Sequence, residues 1–230
     1  MDILFGGTTE GRMLAAEYLA RGETPLVCVT SEYARTLLPQ GVRCHVGALD
    51  EAAMQELFER EQPARVIDAT HPFAVRVTDN IKRCCMRLGI EYKRIERMNE
   101  AGADWRNCVE WVADTQAAAE ALARTQGNVL LTTGSHTLGA YVAKVAPERL
   151  YARVLPMARV LEQCESLGLP PGHVVAMQGP FTREFNAALY DMLNIAVMLS
   201  KDSGDAGGVT EKVLPALERG IHVIMIARPE

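Results

Sequence analysis

Short runs of almost continuously apolar residues alternate along the chain with longer runs in which apolar positions recur every three or four residues. The first pattern is typical of buried β-strands and the second of amphipathic helices. The first part of the chain is predicted to contain strands at 3–5, 26–29, 43–46, 66–67 and 90–97, and helices at 9–21, 50–60 and 72–89. Asp50 is the expected N-cap of the second helix, and Gly89 is expected to end the third.

A polar stretch, "MNEAGADWRN", interrupts this alternation and predicts a domain boundary near Asn99. The expected domains are therefore 1–98 and 99–230. The second domain is predicted to contain strands at 108–112, 128–135, 149–156, 173–179, 195–204 and 222–229, and helices at 114–125, 138–145, 158–167, 182–193 and 209–219. Pro215 is expected to kink or shorten the last helix, because proline lacks the N–H that a helix interior requires.

The alternation of strands and helices predicts an α/β protein. Strands that are apolar on both faces are typical of parallel sheets covered by helices on each side. Two successive sets of such elements predict two Rossmann-like domains with parallel sheets and a cleft between them. Ligands of these sheets bind outside the carboxyl ends of the strands, so the residues that follow each strand are the functional candidates.

Composition narrows the classes of function. The chain has 230 residues, is 48% apolar and carries a formal charge of -5, which favours neither nucleic acid nor an anionic membrane surface. No apolar stretch approaches the ~20 residues that span a bilayer, and the N-terminus lacks the features of a signal peptide, so a cytoplasmic protein is expected. The six cysteines form no C-x-x-C pair. They are interpreted as small buried hydrophobic residues, with zinc or disulfide roles as the alternative, and no metal site is expected.

A glycine-containing turn, "GGTTEGR", follows the first predicted strand. Gly6 permits a tight turn, Gly11 lets the next helix pack closely on the sheet, and the helix N-terminus offers N–H groups to a phosphate. Thr8 replaces the middle glycine of the dinucleotide-binding pattern, and its hydroxyl, with that of Thr9, is a candidate phosphate ligand. The alternative is an ordinary glycine turn.

The stretch "TSEYAR" follows the second strand, about 20 residues further on, where a side chain that binds ribose is expected. Glu32 is suited to a ribose 2′-hydroxyl, whereas Ser31 and Arg35 are suited to a 2′-phosphate. The sequence therefore leaves NADH and NADPH both open.

The stretch "VIDATHPFA" places Asp68, Thr70 and His71 at the carboxyl edge of the fourth strand, where they are expected to face the cleft. Pro72 suits the first turn of the helix that follows. The alternative for His71 is an ordinary surface residue.

In the second half, three strands are followed by "TTGSH", "MQGPF" and "SKDSGDAGG". The last is the most polar, with Lys201 and Asp202 directly after the strand and glycines that form a loop before a helix containing Lys212. This combination favours a ligand-binding loop over a simple linker.

These motifs, with "EFN" after "MQGPF" and a closing "ARP", occur in an order that resembles the precorrin-6A reductase family, including its cobalt-precorrin form, over essentially the whole chain. The resemblance implies an oxidoreductase of cobalamin biosynthesis that uses NADPH or NADH. It would reduce one double bond of precorrin-6A or cobalt-precorrin-6A, placing a hydride on one ring carbon and a proton on its neighbour, to give precorrin-6B or its cobalt form. Transient contacts with neighbouring pathway enzymes are also expected.

The resemblance and the strand ends together give a set of candidate site residues. The expected cofactor-binding residues are Gly6, Gly7, Thr8, Thr9, Glu10, Ser31, Asp68 and Thr70. The expected substrate-binding residues are Arg94, Ser135, Gln178, Ser203 and Gly204. His71, Asp202 and Lys201 are the candidate catalytic side chains for proton transfer, in that order. The substrate carries many carboxylates, so local positive charge at Lys93, Arg94, Arg97, Lys201 and Lys212 is of interest.

Two alternatives remain open. One is another Rossmann-fold oxidoreductase or an epimerase, but the Tyr-x-x-x-Lys pair of such enzymes is missing after Tyr92, Tyr141 and Tyr190. The other is a non-enzymatic nucleotide-sensing module, which would need only the first half of the chain.

Overall fold

The computed structural model describes residues 1–95, 104–204 and 208–229. Packing contacts divide the chain into two compact units, Met1–Arg97 and Met98–Glu230, next to the expected boundary between 98 and 99. Each unit contains one parallel sheet with helices packed against it. The predicted α/β class with two Rossmann-like parallel-sheet domains is therefore confirmed.

The first unit is an open five-stranded parallel sheet in the order β3-β2-β1-β4-β5. Its elements are β1 (Asp2–Gly6), α1 (Thr9–Ala20), β2 (Leu26–Val29), α2 (Glu32–Thr36), β3 (Arg43–Val46), α3 (Glu51–Glu61), β4 (Arg65–Ala69), α4 (Val75–Leu88) and β5 (Glu91–Arg94). Chain order reverses between β1 and β4, so the switch point of this sheet lies between these two strands.

The central strand of the first unit is buried on both faces. Ile3 and Phe5 pack in one apolar cluster with α3 and α4, while Leu4 packs in another with α1. Alternate side chains of a strand point to opposite faces, so a doubly covered strand must be apolar at every position. This requirement is the physical reason for the continuous apolar run at the start of the chain.

The second unit is a six-stranded parallel sheet in the order β6-β11-β10-β7-β8-β9. Its elements are β6 (Glu110–Val112), α5 (Thr115–Ala123), β7 (Asn128–Leu131), α6 (Leu138–Val142), β8 (Leu150–Val154), α7 (Ala158–Ser166), β9 (Val174–Ala176), α8 (Arg183–Met192), β10 (Ile195–Lys201), α9 (Val209–Leu217) and β11 (His222–Ile226). Four short 3-10 helices accompany them: Asp104–Cys108, Ser135–Thr137, Pro147–Arg149 and Pro171–His173. The switch point lies between β7 and β10. Strand β6 is the first strand of this unit along the chain, but it lies at the edge of the sheet, beside β11.

Local signals placed most helix ends correctly. Asp50 accepts from the Ala53 N–H and caps α3, and Gly89 ends α4 in the left-handed conformation, both as predicted. Helix α9 continues two residues past Pro215, which corrects the expectation of short pieces. No helix in the described ranges combines the length and apolarity that crossing a membrane requires.

Helix α4 begins at Val75, and this corrects the prediction that Pro72 lies in its first turn. The Phe73 N–H donates to His71 Nδ1 at 3.2 Å, and the Ala74 N–H donates to the His71 carbonyl at 2.8 Å. These two bonds close a turn around Pro72 that delays the helix by three residues.

Candidate functional site

In each unit, two of the sequence motifs lie at the switch point of the sheet. In the first unit, "GGTTEGR" follows β1 and "THPFA" follows β4, and these strands are neighbours. In the second, "TTGSH" follows β7 and "KDSG" comes at the end of β10, again on neighbouring strands. The carboxyl ends of parallel strands meet at one edge of their sheet, and the crevice at a switch point is where α/β sheets bind ligands.

The loop after β1 is built from backbone approaching backbone. A Cβ atom on Gly11 would lie 2.8 Å from the Gly6 Cα, so this position requires glycine for α1 to pack on the sheet, as expected. A Cβ on the exposed Gly7 would meet no atom within 4 Å. The backbone at Gly7 is therefore open to close approach by a ligand.

Thr8 and Thr9 have different tasks in this loop. The Thr8 side chain accepts from the Gly11 N–H at 3.2 Å and donates to the Ala69 carbonyl at 2.8 Å, so it caps α1 and joins it to the end of β4. Its proton is donated within the protein, and phosphate binding by Thr8 stays a prediction. Thr9 is exposed and accepts from Arg12 at 3.0 Å, which leaves its own proton for an outside acceptor.

A nicotinamide dinucleotide fits this loop. The open backbone at Gly7, the Thr9 hydroxyl and the first turn of α1 together provide the donors and the space that a pyrophosphate needs. Gly6 is buried at the turn, and Glu10 is a partly buried acid in the first turn of α1. The Gly7 backbone, the Thr9 hydroxyl and the N–H groups of the first turn of α1 would hold the phosphates.

Ser31 begins the short helix α2 after the second strand. Its side chain accepts from the Ala34 N–H at 3.2 Å and keeps a proton to donate. Arg35 and Glu32 are both exposed and form an ion pair at 3.1 Å. Arg35 thus lies one helical turn after Ser31, on helix α2, which follows strand β2.

Asp68 is fully buried within β4, at the centre of a polar network. One carboxylate oxygen accepts from the Thr70 N–H and hydroxyl at 3.0 and 2.7 Å. The other accepts from Thr78 at 2.9 Å and Tyr92 at 3.1 Å, and lies 2.5 Å from Arg94. Burial alone would raise the pKa of Asp68, but the Thr70 hydrogen bonds, the Arg94 charge and Thr78 outweigh it and lower the pKa. Asp68 is therefore held as a carboxylate.

This network includes three residues that were predicted from the sequence to bind the cofactor or the substrate: Asp68, Thr70 and Arg94. Arg94 also donates to the Thr70 and Thr78 hydroxyls, both at 2.9 Å, and its side chain is 22% exposed. Lys93, by contrast, is exposed, and Arg97 lies outside the described residues. Cofactor binding by Asp68 and Thr70 and substrate binding by Arg94 stay predictions, but these side chains already hold one another at the switch point.

His71 follows this network at the end of β4. Because Nδ1 accepts from Phe73, the proton of the neutral ring lies on Nε2. The ring packs against that of Phe73 with centroids 5.8 Å apart. The local turn thus fixes both the orientation and the tautomer of the candidate proton donor.

At the end of β10, the candidate catalytic residue Asp202 is 5% exposed and held by two arginines that the sequence analysis missed. Arg106 lies 3.3 Å away and Arg228 lies 3.5 Å away. The Arg106 guanidinium is also placed over the rings of Trp105 and Trp111, at 5.0 and 5.4 Å from their centroids. These two ion pairs fix the Asp202 side chain at the end of β10.

The other predicted residues of the second unit lie at carboxyl ends of its strands. Lys201 ends β10 and is partly buried, and burial lowers its pKa. Ser203 and Gly204 are buried just beyond it. Ser135 begins a 3-10 helix after β7, whereas Gln178 is exposed after the edge strand β9. Ser135, Ser203 and Gly204 therefore share the switch point, and Gln178 lies two strands away.

Two further cationic side chains are buried in the second unit, and the motifs after the strands did not link them. Arg153 in β8 is 8% exposed and Lys212 in α9 is 7% exposed. Lys212 was noted from the sequence as a source of charge, but Arg153 was not. In sequence Arg153 is one polar residue within an apolar strand, and nothing in the local pattern marks it.

The protein-family model described as precorrin-6x reductase CbiJ/CobK matches residues 3–230 of this chain. A solved structure titled CobK precorrin-6A reductase superposes with a TM-score of 0.80 at 28% sequence identity, covering 100% of this chain and 88% of that one.

Curated relatives agree with this match. The cobalt-precorrin-6A reductase of Priestia megaterium is 36% identical over 100% of this chain and 91% of its own length. That of Salmonella typhimurium is 36% identical over 99% of this chain and 87% of its own, and the precorrin-6A reductase of Rhodobacter capsulatus is 31% identical over 99% and 87%. The predicted family is thereby confirmed: this chain belongs to the precorrin-6x reductase family, CbiJ/CobK.

Proposed function

We propose that this protein reduces one double bond of the precorrin-6A macrocycle in cobalamin biosynthesis, with a reduced nicotinamide nucleotide as the electron donor. The observation that carries the proposal is that the family match extends over residues 3–230 and includes both switch-point sites. The nucleotide supplies a hydride to one ring carbon when it is bound. The neighbouring carbon takes a proton, so the double bond becomes a single bond between two C–H carbons.

We propose the cobalt-containing macrocycle as the preferred substrate. Relatives named for the cobalt form that cover at least 99% of this chain are 32–36% identical to it. Two relatives named for precorrin-6A without cobalt, from Rhodobacter capsulatus and Mycobacterium tuberculosis, are 31% and 30% identical. The cobalt ion belongs to the substrate and travels with it.

We propose NADPH as the preferred coenzyme. The two residues that directly follow β2 are Thr30 and Ser31, which carry hydroxyls where NADH-specific proteins place an acid. Ser31 has a proton to donate, and Arg35 lies on the helix that it caps. Both groups favour a 2′-phosphate, and Glu32, which pairs with Arg35, would have to release it.

Among the side chains of this protein, His71 is the best candidate to deliver the proton. The bond from the Phe73 N–H orients its ring, and a protonated imidazole can donate a proton from Nε2. Asp202 forms ion pairs with Arg106 and Arg228, and we assign it to positioning the loop after β10. Water or a substrate carboxyl remains an alternative donor.

A four-way turnover assay tests this function. Precorrin-6A and cobalt-precorrin-6A are each offered with NADPH and with NADH, and both macrocycle absorbance and coenzyme oxidation are followed. We expect the highest kcat/KM for the cobalt substrate with NADPH. Coenzyme oxidation without a change in the macrocycle, or no oxidation in any of the four mixtures, would refute the proposed reaction.

We further propose that the enzyme works in the cytoplasm, where the coenzyme is regenerated, with transient transfer of its product to the next pathway enzyme. Cys28, Cys44, Cys84, Cys85 and Cys164 are thiols in the described structure, as a reducing compartment favours.

A further inference from the structure

Arg153 and Lys212 form a buried pair of cations in the second unit, with no carboxylate at ion-pair distance among the residues that the structure describes. Every other deeply placed arginine discussed above, Arg94, Arg106 and Arg228, is paired with an acid. Burying a charge without an opposite charge is costly, so a protein keeps such a pair only where something compensates it.

Neutral groups hold the two cations in place. The Arg153 guanidinium donates to Asn186 Oδ1 at 2.6 Å and lies 4.3 Å from the centroid of the Phe181 ring. The Lys212 ammonium donates to the Ser200 hydroxyl at 3.2 Å. These bonds use one guanidinium N–H of five and one ammonium N–H of three, so donors remain for an anion.

Asn186, in α8, connects the two elements that carry the pair, β8 and α9. Its amide nitrogen donates to the carbonyls of Thr182, before α8, and Glu211, in α9, at 2.9 and 3.0 Å. Its oxygen accepts from Arg153 in β8. Asn186 of the "EFN" motif thereby contacts the helix that follows the glycine loop "KDSGDAGG", and Phe181 of "MQGPF" packs on Arg153. Their shared position is explained if they build one binding site.

The charges of the pair interact. Burial, and then the positive charge of Arg153, lower the pKa of Lys212 to about 7, whereas Glu211 opposes this. Burial likewise lowers the pKa of Arg153 to about 10. An anion bound by both groups would offset the cost of burying each positive charge.

We propose that Arg153 and Lys212 form a carboxylate-binding subsite at the carboxyl ends of β8 and β10, which receives one rim carboxylate of the tetrapyrrole substrate. This inference rests on the proposed function for the identity of the ligand. A phosphate of the coenzyme is the other anion available, but the loop after β1 already provides donors for the pyrophosphate.

The test uses Lys212→Met, with Lys144→Met as the control that removes the same charge from an exposed position of the same unit. Loss of a charge-assisted hydrogen bond to the substrate should raise KM for the tetrapyrrole roughly 10- to 100-fold and leave KM for NADPH unchanged. The melting temperature should rise, because an unpaired buried charge is replaced by an apolar side chain. A residue that merely supports the fold would show the opposite, a fall in melting temperature.

A second readout separates this subsite from the proposed reaction. Binding of uroporphyrin, a tetrapyrrole with carboxylates on its rim, is followed by quenching of tryptophan fluorescence and needs no turnover. If the wild type fails to reduce precorrin-6A while uroporphyrin binding still weakens at least tenfold in Lys212→Met, the function fails and the subsite stands.

The subsite is overturned if Lys212→Met and Lys144→Met bind uroporphyrin equally well, or if only KM for NADPH rises. Arg153→Lys provides the companion test, because it keeps the positive charge but removes the planar guanidinium, which can bind a carboxylate through two N–H groups. It should also weaken uroporphyrin binding, and an unchanged affinity in both subsite variants would contradict the proposal.

Discussion

Asp68 and Arg94 are direct register partners on the adjacent strands β4 and β5, and an Arg94 nitrogen lies 2.5 Å from an Asp68 carboxylate oxygen. Asp68 has no exposed surface, so Arg94 is the charge that allows a carboxylate to remain at the centre of the sheet. The pair fixes the end of β4, from which Thr70 and His71 extend. We therefore interpret it as a positioning pair for the switch point of the first unit.

Removing the Arg94 charge should destabilise the fold, because the buried Asp68 carboxylate would lose its ion-pair partner. Arg94→Met is expected to lower the free energy of unfolding by about 2–4 kcal/mol, somewhat less than for a fully buried pair because Arg94 is partly exposed. Urea denaturation measures this, with Lys93→Met, its exposed neighbour, as the control. Equal stability of the two variants would show that Arg94 is not needed to balance Asp68.

The same pair predicts how stability depends on pH. The pKa of Asp68 is lower in the folded protein than in the unfolded chain, so the unfolded chain binds more protons over the range between the two values. Its stabilising contribution is present above the ordinary carboxyl range and is lost as pH falls through the folded pKa. Asp68→Asn should flatten the acid limb of a plot of unfolding free energy against pH, and an unchanged slope would contradict this assignment.

Two glycines of the first loop should respond differently to the same substitution. Gly11→Ala would place a methyl group 2.8 Å from the Gly6 Cα and should destabilise the fold by about 1–3 kcal/mol. Gly7→Ala meets only open space and should leave the melting temperature unchanged. If phosphate approaches the backbone there, Gly7→Ala should still weaken NADPH binding about tenfold, as measured by coenzyme fluorescence. Unaltered affinity would place the nucleotide elsewhere.

His71→Ala tests the proposed proton transfer. We expect single-turnover reduction to slow by about 10²-fold, with loss of the pH dependence that an imidazole contributes. Because Nδ1 also accepts from Phe73, melting temperature is recorded alongside to detect loss of the turn. An unchanged rate and pH profile would remove His71 from proton transfer and favour water or the substrate itself.

Features that depend on local sequence were predictable. Strands buried on both faces show as continuous apolar runs, and the caps at Asp50 and Gly89 follow from side-chain chemistry within a few residues. The need for glycine at position 11 also followed from the spacing of the loop. Strand-end reasoning brought the correct motifs to both switch points, because parallel strands place their carboxyl ends at one edge.

Features that depend on sheet order were not predictable from the chain alone. Asp68 and Arg94 meet only because β4 and β5 are neighbours in a particular register. Arg106 and Asp202 are 96 residues apart and meet in the folded second unit, where β6 joins the edge beside β11. Arg153 gives no local signal, since its importance lies in the absence of a paired acid around it in the described structure.

Transfer of deuterium from the coenzyme tests the central claim most directly. NADPH carrying deuterium at the transferable position of the nicotinamide ring is incubated with the enzyme and cobalt-precorrin-6A, and with precorrin-6A in parallel, and the products are analysed by mass spectrometry. We expect a macrocycle that has gained one deuterium and one solvent proton, with matching coenzyme oxidation. A reduced macrocycle without deuterium, or no reduction of either substrate, would contradict it.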